Sequence, residues 1–133
     1  MYEDIYTLNF KDTIQCFIQP NMHYFLLISS LEAYHKKTNP KDIYLKDRIT
    51  ELLEQNSKIL PKLTQFIKDK LDYYVNTRNF IGHANLYSSK PIFDLNANPY
   101  KITELQKLMQ LLLLKDLGYS DDVLLLLGVY SIH

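Results

Sequence analysis

The chain has 133 residues, and 15 Lys and Arg balance 15 Asp and Glu, so its formal net charge is zero. Hydrophobic residues make up 47% of it, enough to fill one compact core and to exclude wholesale disorder. A balanced charge also excludes coating of duplex nucleic acid by bulk attraction, which needs an excess of clustered cations, but it leaves room for a local cationic pocket.

Arg48 and Arg78 are the two arginines, so few positions can supply a planar guanidinium. The single cysteine, Cys16, has no partner for an intramolecular disulfide and no second thiolate for a zinc site. The opening MYEDIYTLNF lacks the basic region and apolar stretch of a signal peptide. The most apolar segment, residues 111–127, is interrupted by Lys115, Asp116, Asp121 and Asp122. It falls short of the roughly 20 uninterrupted apolar residues that cross a bilayer. These features lead us to expect a cytoplasmic chain with no membrane partner, no metal and no cofactor.

In chain order the pattern is helical, with 3 glycines and no stretch of alternating apolar and polar residues. Residues 1–19 are ambiguous and include a short candidate helix at 11–17. Pro20 punctuates, and Asn21 is a candidate N-cap for a strong central helix from Met22 to Lys37. Asn39 and Pro40 signal a helix over 41–55, with a stripe of Leu45, Ile49, Leu52 and Leu53. Pro61 starts a long helix whose stripe runs Leu63, Phe66, Ile67, Leu71, Tyr74 and Val75, ending near Gly82. Residues 86–100 hold Pro91 and Pro99 and read as a loop. Helices over 102–117, ending at Gly118, and over 121–127, capped by Ser120, complete the chain. The expected fold is a single all-α antiparallel bundle of four to five helices over 1–133, with 1–20 as a peripheral segment.

The informative stretch is Asn76-Thr77-Arg78-Asn79-Phe80-Ile81-Gly82-His83. One turn beyond Tyr74 and Val75, where the stripe calls for apolar side chains, stand Arg78 and Asn79, with His83 four residues past Asn79. Polar groups on a buried face are costly unless paired or used. Five residues of helix rotate about 500°, so Arg78 and His83 point about 140° apart. They converge if Gly82 breaks the helix, if Arg78 swings round, or if two copies of the helix meet in a dimer, the arrangement we favour. Imidazole, with an unperturbed pKa of about 6.5, moves protons near neutral pH. A guanidinium grips phosphate oxygens and stabilises developing charge. The pair therefore suits phosphodiester cleavage in which the 2′-hydroxyl of RNA attacks, with Asn79 orienting the histidine or binding a phosphate oxygen. The plainer reading is a capped helix end.

Arg78-Asn79-x3-His83 resembles the R-x4-6-H motif of HEPN domains, and the Tyr73 to Phe80 run is similar to the motif helix of the ApeA-like branch. Phe25-Leu26-x4-Leu31-Glu32-Ala33-Tyr34-His35 and the leucine-rich residues 111–127 are similar in the same order. The resemblance implies a metal-independent endoribonuclease working as a homodimer, with Arg78, Asn79 and His83 as the catalytic set. It also implies a role in antiphage defence or a toxin–antitoxin pair, with an antitoxin or sensing domain as partner. Glu32-x3-Lys36-Lys37 is similar to an E-x3-K-R pattern of some HEPN ribonucleases, with lysine in the last position. Gly82 replaces the polar residue expected before the histidine.

RNA-binding candidates are thus Glu32, Lys36 and Lys37, together with Tyr73 and Tyr87, which flank the motif and suit stacking on unpaired bases. Ser88, Ser89 and Lys90 follow it directly. For Glu32 to Lys37 the plainer reading is a surface helix end with cations near its dipole, and for the tyrosines it is core and surface cover. The alternative function is a non-catalytic module that binds RNA or nucleotide or regulates a partner, and a third is a structural interaction domain.

Overall fold

The computed structural model describes the backbone of residues 2–83 and 90–131, and the side chains of 20–83 and 90–126. The described residues form six helices. They are α1 (Tyr2–Thr38), α2 (Leu45–Asn56), α3 (Pro61–Asp69), α4 (Leu71–Gly82), α5 (Tyr100–Asp116) and α6 (Asp121–Ser131). Helix α1 is the spine, packing on α2, α4 and α5, while α3 packs between α2, α4 and α5 and α6 closes on α5. Tyr24, Ile28 and Leu31 of α1 meet Ile49, Leu52, Ile67, Tyr74, Leu105, Leu108, Leu112 and Leu124, all essentially inaccessible. Each buried aliphatic side chain of this kind stabilises the fold by about 1.5–3 kcal/mol. The all-α expectation holds.

Three boundaries differ from the sequence reading. The first helix does not start after Pro20 but runs through it, so Asn21 lies inside α1 and caps nothing. Proline has a helical φ already, and its chief cost inside a helix is one lost N–H bond and a crowded carbonyl one turn back. The second helix starts at Leu45, not Lys41, with Tyr44 at its N-cap and no side-chain cap. The reason is Arg48, which donates to the carbonyl of Asn39 at 2.7 Å and to that of Lys41, holding the connection out of the helix.

The expected long helix from Pro61 is two helices, broken at Lys70 (φ −117°, ψ 23°). The Lys70 N–H falls back on Ile67 O at 3.2 Å, a tightened last turn. Breaking there lets α4 turn onto α1 while α3 stays on α2 and α5, and it leaves Phe66, placed in the apolar stripe, 57% exposed.

Other punctuation reads through directly. Gly118 has φ 91°, its N–H bonds to Lys115 O and that of Tyr119 to Leu114 O. This is the Schellman pairing, and only glycine enters that conformation at little cost. Ser120 Oγ accepts from the Val123 N–H at 3.4 Å at the start of α6. Residues 90–99 are non-helical as expected. They are pinned to α4 by Asn76 Nδ2 donating to Pro91 O (3.1 Å) and by Phe93 N–H donating to Thr77 Oγ1 (2.9 Å). No described helix is long and apolar enough to cross a membrane.

The end of α1 is less superficial than its composition suggests. His35 is 1% exposed and Arg48 2%. Arg48 Nη1 lies 3.1 Å from His35 Nδ1, and His35 Nε2 lies 2.5 Å from Glu51 Oε2. Arginine has only donors, so the imidazole accepts on Nδ1 and donates from Nε2. The hydrogen bond from His35, then that from the Asn39 amide, holds the Glu51 carboxyl below its ordinary value of 4.5. A lowered native pKa contributes stability that is present above the unfolded value and lost as pH falls through the folded one. We therefore expect Glu51→Gln to flatten the loss of stability below about pH 4.5, read from urea midpoints at stepped pH.

Candidate active site

The motif sits on α4, whose orientation is set by its buried side. Tyr74 is inaccessible, stacks on Tyr24 with ring centroids 6.4 Å apart, and donates its hydroxyl to Glu104 of α5. Tyr24 donates to Tyr74 O at 2.7 Å. Burial pushes both phenols well above their ordinary range, so both remain neutral donors. Lys101 adds an ammonium 3.5 Å from Glu104 and 5.0 Å from the Phe93 ring centroid, tying residues 90–99 to the same knot. Thr77, also buried, donates to Tyr73 O at 2.7 Å.

With α4 fixed in this way, Arg78 lies against α1. Its Nη2 is 3.7 Å from Glu32 Oε1, and Lys36 Nζ is 3.7 Å from that same oxygen. Its Nη1 donates to Asn79 Oδ1 at 3.3 Å, and its guanidinium carbon stands 5.9 Å from the Phe25 ring centroid. The side chain is 27% exposed, and its Nε is buried with no hydrogen-bond partner. At 3.7 Å the Glu32 contact is an ion pair without a hydrogen bond, and a part-exposed pair of this type is worth about 0–1 kcal/mol. The guanidinium is thus positioned but loosely held, with donors left for an incoming anion.

His83 is placed differently. It is exposed at the C-cap of α4, with φ −99°, ψ 1°, and its N–H bonds to Asn79 O at 3.0 Å. The helical turn therefore continues through Gly82, which neither breaks the helix nor turns His83 toward Arg78. Among the described residues no hydrogen bond or ion pair joins the two. Gly82 is small for a packing reason: a Cβ there would stand 3.0 Å from Phe25 Cε2.

Of the candidates named from sequence, the structure brings Arg78, Asn79, Glu32 and Lys36 into one cluster. Lys37 is exposed on the next position of α1, about 100° round the helix. Tyr73 lies away from the cluster, stacked on Phe93 at 5.3 Å with Lys70 Nζ 4.8 Å from its ring centroid. Tyr87, Ser88 and Ser89 lie outside the described residues.

Two features escape a reading of the sequence. Phe25 wedges between Arg78 and Gly82, and the His35–Arg48–Glu51 chain closes the α1–α2 corner. The second has a signal, since Tyr24, Ile28, Leu31 and His35 follow i, i+4, i+7, i+11 and place the histidine on the buried stripe. Among the described residues no group of three His, Cys, Asp or Glu side chains is placed to hold a metal ion.

The described residues thus form an all-α bundle with Arg-Asn-x3-His at the end of one helix and a glutamate of the spine helix beside the arginine. A family model described as Apea-like HEPN matches residues 25–123, and the chain belongs to that family. The match covers α2 to α5 whole, most of the side-chain-described part of α1 and the start of α6. Neither the curated proteins nor the solved structures contain a match to the chain.

Proposed function

We propose that the chain is a metal-independent endoribonuclease whose site is shared between two copies, Arg78 coming from one and His83 from the other. The observation that carries this reading is the splay of the two residues along an unbroken α4. Arg78 turns inward to Glu32 of α1, while His83 is exposed at the helix end about 140° away. A reaction that uses both groups on one phosphate is best served by a second helix facing the first.

In this mechanism the His83 imidazole takes the proton of a ribose 2′-hydroxyl. The 2′-oxygen forms a bond to phosphorus as the bond to the 5′-oxygen breaks. The 5′-oxygen receives a proton from solvent water. The products are a 2′,3′-cyclic phosphate and a 5′-hydroxyl. Arg78 bonds the non-bridging oxygens, leaving its loose contact with Glu32, and Asn79 holds the guanidinium in place. Lys36 neutralises the Glu32 carboxylate that Arg78 releases. We place this activity in RNA-targeting antiphage defence or toxin–antitoxin action in the cytoplasm, with an antitoxin or sensing domain as its control.

Incubation of the purified chain with mixed cellular RNA in EDTA, with analysis of product ends, tests the reading. Cyclic phosphate ends in the presence of chelator are expected. Intact RNA from a folded, dimeric preparation would overturn it. That result would favour the non-catalytic RNA- or nucleotide-binding module, which the engagement of Arg78 with Glu32 within one chain also suits.

A further inference from the structure

The break at Lys70 opens a groove of about 350 Å³ between α2, the α3–α4 corner and the segment after the motif. Its lining includes Lys46, Lys68, Lys70, Asp72, Tyr73 and Pro91. The groove lining carries three lysines against two aspartates, a single net positive charge. Asp72 takes an ion pair from Lys46 at 2.8 Å, and Asp69 accepts from the Gln65 amide at 2.7 Å. Among the described residues Lys68 and Lys70 have no carboxylate within ion-pair distance. Beside them stands an aromatic ring held in place: Tyr73 is stacked on Phe93 with the planes 26° apart, and the Lys70 ammonium rests over it.

Helix geometry relates this groove to the motif. Tyr73 and His83 are ten residues apart, so they are separated by about 15 Å along α4 and only about 80° around it. Phe80, half-buried and seven residues beyond Tyr73, falls within about 20° of it. The groove and His83 thus lie on the same side of α4, away from Arg78, with Pro91, held by Asn76, between them.

We propose that this groove is a substrate subsite that holds the single-stranded RNA next to the bond being cut. Lys68 and Lys70 contact backbone phosphates, and Tyr73 stacks an unpaired base once Lys70 leaves the ring for a phosphate. An exposed ammonium–ring contact is weak enough to exchange in this way. Ammonium groups spaced beside a fixed aromatic face match the alternation of phosphate and base along an unpaired strand, whereas a duplex buries the base faces that the ring needs. The inference rests on the endoribonuclease reading for its biological sense, but it is tested on binding alone.

The test uses the full chain carrying His83→Ala, so that RNA survives the assay. Affinity for a short labelled single-stranded RNA is measured by fluorescence anisotropy over a range of salt concentrations. Adding Lys68→Ala and Lys70→Ala together is expected to weaken binding about tenfold or more. The same pair should reduce the slope of log K against log salt by about 0.7 for each phosphate that is no longer neutralised. Tyr73→Leu is expected to weaken binding with the slope unchanged, since stacking releases no counterions. All three positions are exposed or half-buried, and equal thermal midpoints verify the fold. Unchanged affinity in the lysine pair would overturn the subsite, even if the wild-type chain cuts RNA. Weakened affinity in the pair, with no cleavage by the wild type, would support the subsite and sink the nuclease.

Discussion

On the proposed mechanism, His83→Ala is expected to abolish RNA cleavage while RNA binding survives, and Arg78→Ala to abolish it by a different route. Removing a general acid–base group costs about 10²–10⁴ in rate, and removing a donor to developing charge costs about 10²–10³. The stability of the two variants distinguishes loss of chemistry from loss of fold. His83 is exposed and serves α4 through its backbone N–H, which alanine keeps, so its replacement leaves stability within about 0.5 kcal/mol. Arg78→Ala also removes a stem packed near Phe25 and one of two cations on Glu32, at a cost of about 1 kcal/mol. Arg78→Lys should not restore the rate, since an ammonium cannot present paired donors to two phosphate oxygens. Rates on a labelled oligonucleotide alongside thermal midpoints check all three variants.

Arg48→Met is expected to lower stability by at least about 1–3 kcal/mol, the cost of leaving a buried acceptor without its donor. The guanidinium is 2% exposed and serves the carbonyls of Asn39 and Lys41 and the His35 ring. Methionine fills much of the volume and satisfies none of these acceptors, so the His35 ring is left buried without its donor and two part-buried carbonyls lose theirs. Against a total of about 5–15 kcal/mol this is a large share. Urea denaturation should show a lower midpoint with an unchanged slope. A loss under about 1 kcal/mol would mean that water replaces the guanidinium and that the α1–α2 corner is not what holds residues 39–44.

The parts of this architecture that the sequence discloses are those written in local chemistry. Pro61 at a helix start, the positive φ of Gly118, the Ser120 cap and the apolar stripe of α2 each act within a turn or two of themselves. The break at Lys70 leaves no such mark, because neither glycine nor proline stands there and Leu63, Ile67 and Leu71 continue an unbroken i, i+4 pattern. Tertiary packing decides it, through the different partners of α3 and α4. The long run of α1 past Pro20 is hidden for the opposite reason, a strong local stop signal overridden by the helix around it.

The site divides along the same line. Arg78 and Asn79 are legible as polar residues on an apolar face. That Arg78 lies against Glu32, 46 positions before it in the chain, follows from the packing of α4 on α1, and only the resemblance to HEPN domains points to Glu32 in the sequence. Gly82 reads in sequence as the end of its helix, and α4 does end there. The small size of Gly82 reflects the nearby Phe25 ring, a contact between elements that no local pattern encodes. The lysine groove is invisible in sequence because it exists only where the helix breaks.

The most direct measurement of the shared site is complementation by mixing. Arg78→Ala and His83→Ala chains, each inactive alone, are combined, refolded together and assayed on RNA in EDTA. A heterodimer carries two sites, one lacking both groups and one with Arg78 and His83 intact on opposite chains. Recovery of about a quarter of wild-type activity is predicted, since random pairing makes half the molecules heterodimers and each holds one of two sites. If the mixture stays as inactive as its components while size measurements show that heterodimers have formed, Arg78 and His83 do not act across the interface, and the account of a composite site is wrong.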